Sequence, residues 1–352
     1  MRAPLLLVTL FVLLVQVLCG QSQNAGHNTN LRGVSVTQSS GSRQQIIWAS
    51  GSNGVILRST DDGATWKQLV IAGAADLDFR GIVGFGGKMA FVMSSGNGEK
   101  SRIYKTIDGG ANWIQQYSDK RPEFFLDSLA CESSTHCFAL SDPVDGKFVI
   151  LRTNDGTHWE EMPSEKMPPP LPSEGAFAAS NSSLAICDRG KNIYFGTGGG
   201  FHARVFHSRD GGRSWTAADT PVEGGNGSSG VFSVACSGGV VMAVGGDYKD
   251  PEKANRSAAY STDFGVSWAL ATPAPGVYRS AVFTFSAREF FAAGPNGTDI
   301  CRSQNRKSMS CTRSGNLNLN AVSFVGKHGW AVGPKGSIYE FVPGTCDPIL
   351  RH

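Results

Sequence analysis

The stretch Ser59-Thr60-Asp61-Asp62-Gly63-Ala64-Thr65-Trp66 carries the pattern Ser/Thr-x-Asp-x-Gly-x-x-Trp, and the chain repeats it. Three further full copies and one copy shortened by a residue follow, at 106–113, 153–159, 208–215 and 261–268. A pattern that returns roughly every 50 residues indicates an array of similar supersecondary units that stack on one another. The repeat therefore determines the architecture, whereas it says little about activity.

Each residue type in the pattern has a structural explanation. The Asp can accept hydrogen bonds from backbone N–H groups of its turn, and the Gly can adopt a positive φ. The Trp begins the outer strand, where its ring can cover the hairpin and exclude water. We therefore interpret the repeat as a structural clip, made by Asp61, Gly63, Trp66, Asp108, Gly110, Trp113, Asp155, Trp159, Asp210, Gly212, Trp215, Asp263, Gly265 and Trp268.

Short apolar segments between Gly-rich turns fill the rest of each unit, which predicts all-β structure with four strands a unit. The first strand can be placed in seven units, at Gly33, Gly81, Ser128, Gly175, Gly230, Ser280 and Ala321. Seven such units predict a seven-bladed β-propeller over residues 31–343. The seventh unit lacks a fourth strand, and the polar N-terminal segment 20–30 is a poor candidate for it. How the ring closes therefore stays open.

Both ends of the chain lie outside this array. Residues 1–19 combine Arg2, an apolar run from Leu5 to Val15 and small residues near the end. This combination is typical of a signal peptide, cleaved before Gly20. The run is too short to span a bilayer and no similar run follows it. We therefore expect an exported monomer without a membrane span, which ends in a short tail at 344–352.

An exported chain can carry disulfides. Cys131 and Cys137 flank a turn between two apolar strands, and Cys301 and Cys311 flank a polar segment. Cysteines that face each other across a hairpin lie within disulfide range, so we expect each of these pairs to be bonded. Three cysteines remain after position 19: Cys187, Cys236 and Cys346. Because their number is odd, either one of them is a free thiol or the cysteines pair differently.

Composition argues against several functions. The formal net charge of +3 is ordinary for a globular protein. The chain also lacks the basic run with interleaved aromatic residues that nucleic-acid binding would need. The 7 histidines are scattered without metal-ligand spacing, and no Gly-rich loop precedes a helix, so we expect neither a metal nor another cofactor. In a secreted eukaryotic protein, surface sequons would carry N-glycans, here at Asn181, Asn226, Asn255 and Asn296.

The repeat resembles that of the Asp-box, or bacterial neuraminidase repeat, propellers. The longer phrases GSNGVILRSTDDG at 51–63 and GWAVGPKGSI at 329–338 resemble the photosystem II stability and assembly factor propellers. The likeness covers residues 31–343 and looks closest to exported relatives of those factors outside photosynthesis. It implies a protein-binding propeller without a cofactor. We therefore expect an assembly-factor-like chain that binds a protein or glycan partner.

Alignment of the units predicts one candidate site. If the first strands line the axis, the residues just before them ring one mouth of the central channel. Arginines placed there can bind a carboxylate or another anion. In the alternative, they pair with the carboxylates and merely tie blades together. The positions are Arg32, Arg80, Asp127, Glu174, Ser229, Arg279 and Asn320.

A sialidase-type glycoside hydrolase is the alternative function. Sialidases share the Asp box and use three arginines, an acid and a Tyr–Glu pair. Tyr278 is adjacent to Arg279 in the sequence, and the carboxylates available for such a site are Asp127 and Glu174. The Phe-Arg-Ile-Pro sequence of sialidases is missing, and residues 79–82 match it only in part. We therefore favour binding over catalysis and assign no catalytic residue.

Overall fold

The computed structural model describes residues 20–24, 29–39, 41–253, 256–303, 305 and 307–342. Its 28 strands form seven four-stranded antiparallel sheets. The innermost strand of each sheet contacts those of its two neighbours, so the sheets form a closed ring around an axis. The chain is therefore a seven-bladed β-propeller, as predicted. Two short 3-10 turns, Gly98–Lys100 and Pro334–Gly336, are the helical segments of the described residues.

Strands are numbered in chain order and given from the axis outward. Blade one consists of β2 (Leu31–Gln38), β3 (Gln45–Gly51), β4 (Ile56–Ser59) and β5 (Lys67–Leu69). Blade two consists of β6 (Asp78–Phe85), β7 (Met89–Ser95), β8 (Arg102–Thr106) and β9 (Ile114–Ser118). Blade three consists of β10 (Leu126–Cys131), β11 (Cys137–Val144), β12 (Lys147–Thr153) and β13 (Glu160–Glu161). Blades four and five are β14 (Leu184–Cys187), β15 (Asn192–Gly196), β16 (Arg204–Ser208) and β17 (Thr216–Asp219); and β18 (Ser229–Ser237), β19 (Val240–Asp247), β20 (Ala258–Ser261) and β21 (Ala269–Leu270). Blades six and seven are β22 (Ala281–Ser286), β23 (Glu289–Gly294), β24 (Gly297–Arg302) and β25 (Ser310–Gly315); and β26 (Ala321–Val325), β27 (His328–Val332), β28 (Ser337–Phe341) and β1 (Gly20–Asn24).

The N-terminal strand closes the ring, although its polar sequence argued against this role. β1 pairs antiparallel with β28, from Gly20 opposite Phe341 to Asn24 opposite Ser337. An outermost strand is held through backbone hydrogen bonds to one neighbour, so its sequence does not have to be apolar. The propeller therefore includes residues 20–24. The predicted signal peptide 1–19 and tail 344–352 lie outside the described residues.

Each Asp box forms a tight, hydrogen-bonded turn. In the first box, Asp61 Oδ1 accepts a hydrogen bond from Ser59 Oγ at 2.7 Å and from the Thr65 backbone N–H at 2.9 Å. The Gly63 N–H donates to Ser59 Oγ. The other four boxes place their carboxylates in the same kind of contact, at Asp108, Asp155, Asp210 and Asp263. The carboxylate thus holds the turn in shape, which is a structural role.

The five boxes also join blades one to five to the blade that precedes each of them. The Trp66 ring packs edge-on against Trp330 of blade seven, with ring centroids 6.0 Å apart, and Trp113 packs likewise against Trp48 of blade one. Gly63 has a φ of 73°, and a Cβ there would lie 2.1 Å from the Trp330 ring. Blade six lacks a box Trp. There the Cys301–Cys311 disulfide and Met309 pack against blade five instead.

Apolar clusters fill the seven interfaces between neighbouring blades. The two predicted disulfides are present, and both join residues directly opposite each other in hairpins: Cys131–Cys137 and Cys301–Cys311. A third disulfide, Cys187–Cys236, links the innermost strands of blades four and five. It resolves two members of the odd set, whereas Cys346 lies outside the described residues.

Blade four departs from the predicted unit. Its innermost strand begins at Leu184, whereas the sequence placed it at Gly175. Residues 175–183, which we call the plug, cross the central channel instead. The Asn181 amide exchanges two hydrogen bonds with the backbone of Leu129 in blade three, and Ser180 Oγ donates to the Ser280 carbonyl in blade six. Ser182 Oγ lies 2.6 Å from Ser233 Oγ in blade five. The plug therefore closes the channel between its two mouths.

Candidate functional site

The plug divides the channel into two cavities. One lies at the end where the innermost strands begin and has a volume of about 440 Å³. We call it the cup; Ala176 to Ala179 of the plug form part of its wall. The other cavity, of about 320 Å³, lies toward the opposite mouth and is lined mainly by apolar side chains. The plug therefore lies between the two cavities, since its first half lines the cup and Asn181 lines the other cavity.

A β-bulge repeated at the start of the innermost strand supplies the main cup residues. The register of the first hairpin shifts at Arg32 in blade one, at Arg80 in blade two and at Asp127 in blade three. The same shift in blade five falls at Phe232. A bulge turns its extra residue out of the alternating pattern and can re-aim a side chain. The shared bulge thus brings four residues from four blades to one cavity.

The two arginines differ in their contacts. Arg80 Nε donates to Asp78 Oδ2 at 2.7 Å, and its Nη1 donates to the Ala178 carbonyl of the plug. Arg32 is half-buried, and among the described residues no carboxylate or other acceptor is hydrogen-bonded to its guanidinium. Burial and the nearby Arg80 both lower the pKa of Arg32 from its ordinary value. The nearby Asp78 carboxylate opposes these two effects. Arg32 is therefore a half-buried cation whose guanidinium makes no hydrogen bond to the described residues.

Two carboxyl groups also line the cup. Asp127 is 1% exposed, and its Oδ2 atom is buried without a hydrogen-bond partner among the described residues. Asp142 Oδ1 accepts a hydrogen bond from the Ala176 N–H of the plug at 2.8 Å. Burial raises the pKa of Asp127 well above its usual range, and Asp142 adds to that effect while Arg80 opposes it. Burial also raises the pKa of Asp142, to about 6.

Aromatic side chains form a third part of the cup wall. Phe232 stacks on Phe177 of the plug with ring centroids 3.8 Å apart, and Tyr278 packs edge-on against Phe232 at 4.8 Å. Tyr248 also lines the cup and is 48% exposed, so it lies at the entrance. The cup therefore offers guanidinium groups beside an apolar aromatic surface, an arrangement suited to an anion attached to an apolar or aromatic group.

Not all of the predicted mouth residues reach the cup. Arg32, Arg80, Asp127 and Asn320 line it. Two others are absent from its lining, because each is buried in an ion pair that the sequence did not predict. Glu174 is bonded to Arg204 of blade four, and Arg279 to Asp299 of blade six.

The reasons for these two corrections are local. Glu174 precedes the plug, so it is not equivalent to the residues before the other innermost strands. Its Oε1 accepts hydrogen bonds from Arg204 Nε at 2.8 Å and from Thr197 Oγ1. In blade six the neighbouring Ser280 lines the cup, and Arg279 turns into the blade, where its Nε donates to Asp299 Oδ2 at 2.7 Å. Glu174 and Arg279 therefore form structural ion pairs and do not contribute to the cup.

The sequence missed several cup residues. In blade five, the alignment made Ser229 the equivalent of Arg32. Ser229 is buried outside the cup, however, and Phe232 occupies the equivalent position. The three-residue offset arises because β18 begins earlier than the other innermost strands. Asp142 also sits at a bulge, in β11. An acidic or aromatic residue in an otherwise apolar strand is the signal that could have found these positions.

The predicted glycosylation sites fall in different surroundings. Asn226 is exposed, as an acceptor site requires. The Asn181 amide nitrogen donates to Leu129 inside the channel, and the Asn296 amide nitrogen is buried, which argues against glycans at both. Asn255 lies outside the described residues.

Neither a metal-binding cluster nor a membrane-spanning helix is found among the described residues. No group of three or more His, Cys, Asp or Glu side chains there could hold a metal ion. In that same part of the chain, no helix is long and apolar enough to cross a membrane.

The fold is similar to several solved structures. A structure of YCF48 bound to D1 peptide is 15% identical with a TM-score of 0.64, over 92% of this chain and 96% of that one. YCF48 from Cyanidioschyzon merolae is 13% identical with a TM-score of 0.61, over 91% and 98%. Virginiamycin B lyase from Staphylococcus aureus is also 13% identical, with a TM-score of 0.64 over 92% and 99%.

Sequence comparison adds no family. No family model matches the chain, and no curated protein matches it. Neighbours at this level of identity include a photosystem II assembly factor and a lyase, so the likeness establishes the fold alone. By its fold, the chain is one of the seven-bladed β-propellers.

Proposed function

We propose that this chain is an exported, monomeric, non-catalytic binding propeller, and that the cup receives an anionic group of a protein partner. The observation that carries the proposal is the Arg32 guanidinium, which makes no hydrogen bond or salt bridge with the described residues and stands with Arg80 in one cavity. A low-dielectric cavity lined by cations strengthens the attraction of an anion relative to open water. The aromatic wall would contact the apolar part of the ligand.

A protein ligand is favoured over a glycan by one fold neighbour, YCF48, whose structure includes a D1 peptide. An assembly-factor-like role for this chain is part of the proposal. The three disulfides support export, since disulfides persist in oxidising compartments.

The sialidase alternative has less geometric support. It needs a Tyr activated by a Glu, but Tyr278 is only 6% exposed, and burial raises its pKa further above the usual range. No carboxylate of the described residues is hydrogen-bonded to its hydroxyl. Arg279 and Glu174 are both sealed in ion pairs away from the cup. A screen of fluorogenic glycosides should therefore show no turnover, and turnover abolished by Asp127→Asn would support the hydrolase instead.

The proposal is tested by affinity capture from the extracellular fraction of the source organism. The Arg32→Gln/Arg80→Gln variant should bind the captured partner about tenfold or more weakly, because it loses charged hydrogen bonds. Arg288→Gln is the control, since it makes the same kind of substitution, with loss of one positive charge, at an exposed position at the opposite end of the innermost strands. Wild-type binding should also weaken as salt rises. Equal binding by all three proteins would refute the cup as the binding site.

A further inference from the structure

The charge of the cup depends on two buried carboxyl groups. Five ionisable side chains meet at or beside it: Arg32, Arg80, Asp78, Asp127 and Asp142. Arg80 and Asp78 form an ion pair and compensate each other. The charge that an entering anion meets is therefore set by Arg32 and by the protonation of Asp127 and Asp142.

Protonation of these two groups reverses the sign of that charge. With both carboxyls neutral, the two guanidiniums outnumber the single Asp78 carboxylate. With both ionised, three carboxylates outnumber the two guanidiniums, and a negative ligand group would face repulsion in a cavity that screens it poorly.

The other groups around the carboxyls do not change this balance. Glu174, at the start of the plug, is already neutralised by Arg204. The cup also contains the phenol groups of Tyr248 and Tyr278, burial raises the pKa of Tyr278 above its usual range, and no histidine lines the described part of the cavity. Asp127 Oδ2 is buried without a hydrogen-bond partner among the described residues, so no donor at that oxygen stabilises the ionised form.

We propose that anion binding in the cup is coupled to proton uptake by Asp127 and Asp142, so that the cup holds an anionic group under acidic conditions and releases it as the carboxyls ionise. This inference rests on the proposed function, because it concerns the regulation of the same site. In the bound state, Arg32 would donate hydrogen bonds to the anion, and the neutral Asp127 and Asp142 carboxyls would no longer repel it. The coupling is electrostatic, because the anion and the two carboxyl groups share one cavity.

Benzoate is a suitable probe, because it joins a carboxylate to one aromatic ring and is small relative to the cup. Its uncharged analogue benzamide is the control ligand. The dissociation constant would be measured by ligand-observed NMR. We expect benzoate to bind at least about tenfold more weakly at about pH 8 than at about pH 5, because binding then requires proton uptake. Benzamide should show no such dependence.

Variants identify the groups responsible. Asn resembles a protonated Asp, so Asp127→Asn/Asp142→Asn should bind benzoate with less than about a threefold change over the same pH range. Asp145→Asn is the matched control, since Asp145 is an exposed residue in the turn after β11, and it should keep the wild-type pH dependence. Arg32→Gln should lose benzoate binding at both pH values. If the double variant fails to fold, Asp142→Asn alone should shift the pH profile, and calorimetry of the wild type in two buffers should detect proton uptake.

Three results would overturn the inference. One is Arg32-dependent benzoate binding of equal strength at both pH values, which would leave the proposed function intact. The second is wild-type pH dependence in the Asn variants. The third is no benzoate binding at either pH. Partner capture by the arginine variants judges the proposed function separately in each case.

Discussion

Replacement of Arg279 by Gln should destabilise the propeller without weakening binding at the cup. Arg279 and Asp299 form an ion pair in which the side chains are 0% and 3% exposed. Gln cannot neutralise Asp299, which would keep a buried carboxylate without a cation. Removal of one partner from a buried pair costs about 3–5 kcal/mol. We therefore expect a loss of this size in the free energy of unfolding.

Urea unfolding with intact disulfides, followed by tryptophan fluorescence, measures this loss. Arg288→Gln in the same blade is the control, because Arg288 is exposed, and it should change stability by less than about 0.5 kcal/mol. Addition of Asp299→Asn to Arg279→Gln should recover part of the loss, since it removes the stranded charge. A loss below about 1 kcal/mol together with weaker partner binding would refute the burial of Arg279.

Three further predictions follow from the packing and the buried groups. Trp215→Ala should lower the free energy of unfolding by about 3–5 kcal/mol, because Trp215 is 6% exposed. Trp66→Ala should lower it less, because Trp66 is only half-buried. Equal losses in urea unfolding, or a larger loss for Trp66→Ala, would contradict this prediction. The Asp142 pKa of about 6 lies above its value in the unfolded chain, so the folded state binds more protons. This carboxyl therefore lowers the free energy of unfolding as pH rises from about 4 to about 6. Asp142→Asn should for that reason stabilise the protein more at about pH 8 than at about pH 4. In a eukaryotic secretory host, peptide mapping should find Asn226 glycosylated and Asn181 not; a glycan on Asn181 would show that the plug is placed wrongly.

The repeat predicted the fold because each of its residues has a local role. Asp61, Gly63 and Trp66 form one turn, and five such turns specify the unit and its spacing. What the repeat did not show is that the Trp also packs on the preceding blade. The closing strand could not be recognised either, because β1 is held through its backbone and its side-chain pattern carries no signal.

The candidate site could be predicted only in part. Alignment placed Arg32, Arg80 and Asp127 correctly beside one another because the same bulge recurs in blades one to three. It misplaced the residues of blades four to six. Blade four diverts its chain into the plug, β18 starts earlier, and Arg279 turns toward Asp299. Such departures depend on contacts between distant segments, which a local alignment does not contain.

Photo-cross-linking from the entrance of the cup tests the central claim most directly. Tyr248 lines the cup and is 48% exposed, so p-benzoylphenylalanine at this position would contact a partner that enters it. The same probe at Thr284, on the opposite cavity, is the control. We expect the captured partner to cross-link from position 248, to do so less when Arg32→Gln and Arg80→Gln are added, and not to cross-link from position 284. Cross-linking from position 284 alone would contradict the account.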